Sequence, residues 1–333
     1  MQLPTSMRAM AIEQFGGPEV IKPVTLPCPV AGDNDLLIQV EACGLNPVDF
    51  KIRHDGLGAS RPFPAVLGYD VAGVVRGMGR SVQGFKEGDA VFAMLHLNRQ
   101  GGNAEFVVSD YRMAAKRPKN LSAAEAAAVP IAGLTAWEAL VERAKIQKGQ
   151  TVLITAGVGG VGHFAVQIAK LHGCRVMATA GRKESLAFLK ELGADVVIDY
   201  SKEDVVARVM TETNQAGADV CFDCVGGPGF EQALRSVAIH GQVINIVGGA
   251  SDAVAANLFL KNATLHYEFV GSWAFYGQHM ERPGQELAKL AELIEHRKIK
   301  VHVSRTWKLS ELAEAHRAQQ EGRTIGKMVI QLN

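Results

Sequence analysis

The hydrophobic rhythm of the chain changes near residue 120. From Met7 to about Lys119, short apolar runs such as DLLIQVEACG, DVAGVVRGMG, DAVFAML and AEFVVSD alternate with turn residues, a pattern that predicts a mostly β half. An Ala-rich stretch beginning at Ala123, AAEAAAVPIAGLTAWEALVERA, reads as helical. Beyond it, segments 151–156, 174–180, 195–200, 218–225 and 242–247 are almost continuously apolar, as strands covered by helices on both faces must be. Between them lie helix-length segments such as HFAVQIAKLHG and RKESLAFLKELG, each closing on a glycine suited to a left-handed cap. The alternation predicts a parallel, doubly wound sheet. After Gly271 come a helix in GQELAKLAELIEHRK, a short strand, a helix in SELAEAHRAQQ and a last strand in GKMVIQL. With no place in the doubly wound sheet, this tail is expected to return to the first domain.

Length and composition narrow the class. At 333 residues the chain exceeds the ~250–300 at which single cores stop growing, so two domains with a cleft between them are expected. Hydrophobic residues at 47% and charged ones at 21% supply real cores and exclude disorder. Lys plus Arg number 35 against 34 Asp plus Glu, so no net field recruits polyanions and no nucleic acid is expected. No run approaches the ~18 apolar residues of a membrane span, and the first residues lack the ~7–15-residue apolar core of a secretory signal. A cytoplasmic protein without a membrane partner is the expectation. Five cysteines, Cys28, Cys43, Cys174, Cys221 and Cys224, are an odd number and argue against a disulfide framework. Cys221 and Cys224 sit three apart in a predicted strand, on opposite faces, which reads as core rather than a redox couple.

The strongest chemical signal is TVLITAGVGGVGHFAVQIAK, where Gly157, Gly159 and Gly162 satisfy G-x-G-x-x-G between an apolar strand and an apolar helix. Gly157 is expected to make the tight turn, Gly159 to let backbone approach a pyrophosphate, and Gly162 to pack helix against strand. With Gly160 and Val161, the loop would offer N–H groups and a helix dipole to the phosphates. An NAD-binding chain carries an acid at the end of the next strand; here, after Thr179, stand Ala180, Gly181, Arg182 and Lys183. Two cations without an acid favour the 2′-phosphate of NADPH, although Glu184 partly offsets them. The plainer readings are a ligand-free glycine turn and two solvated cations at a helix start.

These residues resemble the medium-chain dehydrogenase/reductase superfamily, and within it the zinc-independent quinone oxidoreductase, zeta-crystallin and alkenal reductase group. ACGLNPVDFKIR, PFPAVLGYDVAG, GDAVFAM, GGNAEFVV, AAAVPIAGLTAWEAL, the glycine loop, LGADVVIDY and GKMVIQL follow the family's order along essentially the whole chain. The resemblance implies a Rossmann-type sheet inserted into a mostly-β GroES-like barrel. The barrel domain would take residues 1–125 plus 271–333 and the NADP-binding domain residues 126–270, with strand 262–270 pairing across a homodimer.

It also implies site residues. Asn46 would face the nicotinamide, and Thr135 would stand beside it. Gly248 would contribute backbone, and Phe269, Val270 and Gly271 would offer main-chain groups to the carboxamide. Arg323 would reach the cofactor, and Tyr200 would lie near the adenosine phosphate. Asp70 would orient its neighbours, and Tyr69 is a candidate proton donor. Zinc-dependent members place the metal on a C-G-x-C-H cysteine and a G-H-E histidine, whereas this chain reads Cys43-Gly44-Leu45-Asn46-Pro47 and Gly68-Tyr69-Asp70. No metal is expected, since a catalytic zinc takes about three protein ligands. Hydride transfer to a quinone or α,β-unsaturated carbonyl, which holds the developing charge itself, needs no metal. DFKIRHDGLGASRPF lacks the tyrosines that some bacterial quinone reductases carry there, leaving Phe50, Lys51, Leu57 and Trp273 as pocket candidates. A zinc-type alcohol dehydrogenase and a non-catalytic, crystallin-like NADPH-binding protein are the alternatives.

Overall fold

The structure, a computed structural model, describes residues 3–58, 62–249 and 252–332. The chain divides into two compact units, one running to Leu134 and resuming at Gly271, the other Thr135–Val270.

The first unit opens with strands β1 (Ser6–Ile12), β2 (Ile21–Pro27) and β3 (Asp35–Gly44), then helix α1 (Pro47–Asp55). Strands β4 (Ala65–Val66), β5 (Asp70–Met78), β6 (Ala90–Met94), β7 (Phe106–Asp110) and β8 (Ala114–Lys116) follow. Helix α1 starts where Pro47 fixes the first helical φ and the Asp49 carboxylate accepts the Asn46 N–H at 2.7 Å, and it ends on Gly56 at φ 80°. The Ala-rich stretch expected as one helical run is broken into α2 (Ala123–Ala127), capped by Ser122 and Glu125, and α3 (Pro130–Trp137), followed by a wider turn, Glu138–Arg143. Pro130 has no N–H to continue the first helix. The next N–H, of Ile131, donates to Asp70 Oδ1 at 2.8 Å.

The second unit alternates β9 (Thr151–Ile154), α4 (Gly162–Leu171), β10 (Arg175–Ala180), α5 (Lys183–Glu191), β11 (Val196–Asp199) and α6 (Val205–Glu212). It continues through β12 (Ala218–Asp223), α7 (Pro228–Ser236), β13 (Val237–Asn245), α8 (Asp252–Lys261) and β14 (Thr264–Tyr267). All pairs are parallel, in the order β11-β10-β9-β12-β13-β14. The order reverses at β9, as in a doubly wound sheet. Gly173 and Gly193, at φ 74° and 93°, close α4 and α5 as their sequence predicts.

Three sequence readings shift. Strand β13 begins at Val237 rather than 242, joined to β12 through an irregular register. The predicted strand 262–270 is only Thr264–Tyr267, preceded by the unforeseen α8. Strand β12 stops at Asp223, so Cys224 lies in the following loop rather than in the strand. All five cysteines are free.

The tail returns to the first unit as α9 (Ser272–Tyr276), α10 (Arg282–Glu295), β15 (Val303–Lys308), α11 (Leu312–Gln320) and β16 (Lys327–Gln331). Strand β16 pairs antiparallel with β3, Ile330 opposite Cys43, completing a seven-stranded sheet ordered β15-β16-β3-β5-β6-β8, with β7 also on β3. A smaller sheet is ordered β2-β1-β4. Met328 and Ile330 join Cys43, Leu45, Tyr69 and Val71 in one apolar core.

Helix α11 also reaches α1. The wholly buried Arg53 donates to Gly16 O at 3.1 Å, Gln320 Oε1 at 3.2 Å and His316 Nδ1 at 3.0 Å. Accepting there leaves the His316 proton on Nε2. Burial, reinforced by the Arg53 charge, drives the His316 pKa down to about 3 from 6.5. The folded state thus refuses a proton that the unfolded chain accepts, so the contribution of this group to stability is complete above pH 6.5 and is lost as pH falls toward 3. We expect denaturant titrations between pH 7 and 5 to lose up to about 1.4 kcal/mol per pH unit below 6.5 through this group. His316→Gln should flatten that slope; an unchanged slope would refute the assignment.

Candidate active site

In the first unit, two of the residues singled out by sequence, Asn46 and Asp70, converge on a third that was not. The Lys327 ammonium, at the start of β16 and 3% exposed, donates to Leu45 O at 2.8 Å, to Asn46 Oδ1 and, at 3.4 Å, to Asp70 Oδ2. Asn46 Nδ2 donates to the same Asp70 oxygen at 2.7 Å. Burial pushes the Asp70 carboxyl up, and Lys327, Asn46 and the Ile131 N–H pull it back. Asn46 thus has its amide oxygen and one N–H committed inside the protein, which fixes the direction of the other N–H. Tyr69 is fully buried in the β core. The only sequence cue to Lys327 is a cation opening an otherwise apolar terminal strand.

In the second unit, the glycine loop occupies the carboxyl end of β9. Its left-handed residue is Ala156, at φ 47°, rather than Gly157, which corrects the expected division of labour. Gly157 is required by packing: a Cβ there would stand 2.8 Å from Leu189 Cδ2 and 2.9 Å from Ala178 Cβ. At Gly162 a Cβ would stand 2.3 Å from Ala156 O and 2.8 Å from Gly157 Cα, so helix and loop meet backbone to backbone. At Gly159 it would meet only Ala156 O, at 3.3 Å. That position, with half-buried Gly160 and Val161, is where backbone is open to a phosphate. Thr179 ties the loop down, its Oγ1 accepting from Ala156 N at 3.1 Å and its carbonyl from Gly157 N at 3.1 Å.

At the neighbouring strand ends, β10 and β11 bring together Gly181, Arg182, Lys183 and Tyr200. The Tyr200 ring packs on Gly181 so closely that a Cβ there would lie 2.5 Å from Cζ. Arg182 and Lys183 are exposed at the start of α5. Gly248 follows β13 at φ 82°, and Phe269 and Val270 follow β14, exposed and buried respectively. Thr135 is buried in α3. In the first unit Gly271 precedes α9, and Arg323 is exposed four residues before Lys327. Of the pocket candidates, Leu57 is exposed and Trp273 is held between the His279 ring, 5.4 Å edge-on, and the Arg282 guanidinium, 4.7 Å above it. Residues 59–61 of the stretch beside Leu57 lie outside those described.

Residues 32–137 match the family description "Alcohol dehydrogenase GroES-like domain" and residues 160–292 match "Zinc-binding dehydrogenase". A chloroplast envelope quinone oxidoreductase homolog from Arabidopsis thaliana is 33% identical over 98% of both chains. An NADPH-dependent alkenal/one oxidoreductase from the same plant is 36% identical over 75% of this chain and 64% of its own. An alcohol dehydrogenase superfamily protein from Novosphingobium aromaticivorans has a solved structure that superposes with a TM-score of 0.92, at 34% identity, covering 98% of this chain and 100% of that one. The chain belongs to the medium-chain dehydrogenase/reductase superfamily. Its fold is the superfamily's parallel Rossmann-like sheet with a GroES-like N-terminal domain.

Two groups common in this superfamily can be tested against the residues. A dinucleotide fits, because the open Gly159 backbone stands at a helix start beside glycines that packing makes obligatory. A catalytic zinc does not. The Cys43 thiol is buried and pushed well up by burial, with Asp49 and Asp70 adding to the effect. Tyr69 replaces the histidine, and Asp70 already faces an ammonium. Among the described residues no group of three or more His, Cys, Asp or Glu is arranged to hold a metal.

Two glycine variants separate fold from site. Gly162→Ala should lower Tm by several degrees, because backbone cannot move aside at 2.3 Å. Gly159→Ala should leave Tm nearly unchanged and weaken dinucleotide binding about tenfold or more. Thermal melts and a binding titration check both, and equal melting losses would contradict the division.

Proposed function

We propose that this chain is an NADPH-dependent reductase that delivers hydride to a quinone or an α,β-unsaturated carbonyl compound without zinc. One observation carries the reading: a superfamily glycine loop stands beside a strand end that offers Arg182 and Lys183 and no acid. Those cations and Tyr200 suit a 2′-phosphate, and Thr135, Gly248, Phe269, Val270, Gly271 and Arg323 are proposed to hold the rest of the cofactor. When bound, NADPH supplies the hydride. The protein's part is to orient, exclude water and present the Asn46 amide, fixed by Lys327 and Asp70. The names of the relatives support quinones and enones as substrates. Free thiols fit a reducing compartment, and we place the protein in the cytoplasm; no helix among the described residues is long and apolar enough to cross a membrane.

We also propose a homodimer joined at β14. This strand is the edge of its sheet, and Phe259 and Leu260 of α8 are 81% and 78% exposed, an apolar surface of the kind that partners cover. Phe259→Glu with Leu260→Glu should shift a light-scattering mass from about two chains to one. A wild type already at one chain would remove the proposal.

Activity is tested by following NADPH oxidation with quinones, enones and simple aldehydes, with NADH and a chelator as controls. Turnover of quinones or enones, unaffected by the chelator, is expected. Arg182→Ala with Lys183→Ala should raise the KM for NADPH at least about tenfold and spare NADH. A chelator-sensitive aldehyde reduction would indicate the zinc-type reading, and binding without turnover the non-catalytic one.

A further inference from the structure

Three neighbouring strands of the second unit end in short polar residues that the cofactor motif does not include. Thr155 follows β9, Asp223 ends β12 and Asn245 ends β13. Each is at most 1% exposed. Asp223 stands opposite Asn245 in register, and Thr155 N donates to Phe222 O at 3.0 Å, so the three lie side by side across the carboxyl ends of the central strands.

Asp223 is the hub. Its Oδ1 accepts from Thr155 Oγ1 at 2.9 Å and Val225 N at 3.1 Å. Its Oδ2 accepts from Asn245 Nδ2 at 2.8 Å and Gly226 N at 3.0 Å. The two partners pass the constraint on. Thr155 Oγ1 accepts from Cys224 N at 2.9 Å. Asn245 Oδ1 accepts from Val247 N at 3.0 Å and Gly248 N at 2.6 Å. Three side chains therefore fix the N–H groups of Cys224, Val225, Gly226, Val247 and Gly248, which belong to the loops after β12 and β13.

A carboxylate buried without a cation partner is costly unless hydrogen bonds satisfy it; here four donors do. The strand order reverses between β9 and β12, and in open α/β sheets ligands bind outside the carboxyl ends of the strands at that switch point. The Thr155–Asp223 hydrogen bond spans it. The half-sheet β9-β10-β11 carries the glycine loop and the cationic strand end, which serve the adenosine side. The loops fixed by Asp223 belong to the other half, which receives the second mononucleotide.

We propose that Asp223 is a positioning residue of the dinucleotide site, holding the loops after β12 and β13 in the shape that binds the nicotinamide half of the cofactor. The proposal rests on the NADPH reading above and assigns that site a residue acting through others.

The test uses two probes on the full chain: NADPH, and 2′,5′-ADP, which carries only the adenosine half. Asp223→Asn places an amide N–H₂ against donors from Gly226 and Asn245, so at least one loop must come loose. Calorimetric titration should show the NADPH Kd rising roughly tenfold or more, with the 2′,5′-ADP Kd within about twofold of wild type. Thr155→Val, which removes one hydroxyl and keeps the volume, should move NADPH in the same direction by roughly threefold, and it carries the test if Asp223→Asn does not fold. Unchanged NADPH affinity in the folded variants would overturn the proposal. So would equal losses for both probes, which would mean a general loosening of the unit. A wild type that binds neither probe would instead overturn the NADPH reading, and this role with it.

Discussion

A single buried ammonium organises the first unit. Lys327 lies at the start of β16, yet its contacts are with Leu45, Asn46 and Asp70, from the first quarter of the chain. Through Asp70 it reaches the N–H that opens α3, and through Asn46 the residue that opens α1. Buried ion pairs add little net stability once desolvation is counted, whereas removing one partner costs about 3–5 kcal/mol. The arrangement therefore contributes definition more than strength. It sets where two helices start and how one amide is turned.

The second unit reaches the same kind of definition by close approach. Gly157 and Gly162 are held by neighbours that leave no room for a methyl group, while the backbone strain of the turn falls on Ala156. Steric necessity and open backbone thus fall to different glycines of one motif. A carboxylate with no ion pair among the described residues, Asp223, performs for two loops what Lys327 performs for two helices. In each case a buried charged group binds at least two partners distant in sequence.

The doubly wound sheet was legible because its strands are buried on both faces and therefore continuously apolar, and because Gly173 and Gly193 mark helix ends by a local rule. The glycine loop and the cationic strand end were legible for the same reason, being contiguous in sequence. Positions decided by partners were not. Nothing in GKMVIQL says that its lysine points inward at Asp70, 257 residues away. Nor does AAEAAAVPIAG reveal that a carboxylate from β5 will cap the helix after Pro130. The extent of β13 and the short β14 were misjudged because pairing, rather than local hydrophobicity, decides where a strand begins and stops.

The return of the tail has a consequence for the order in which the molecule is made. The second unit is one uninterrupted stretch of chain, so all of its contacts are in hand once residue 270 has left the ribosome. The first unit begins earlier and is completed later: strand β3 has β5 and β7 as partners before β16 exists, and Asp70 and Asn46 lack their ammonium partner until Lys327 is made. Domains fold as units during synthesis, so the half that is started first becomes the half that is finished last.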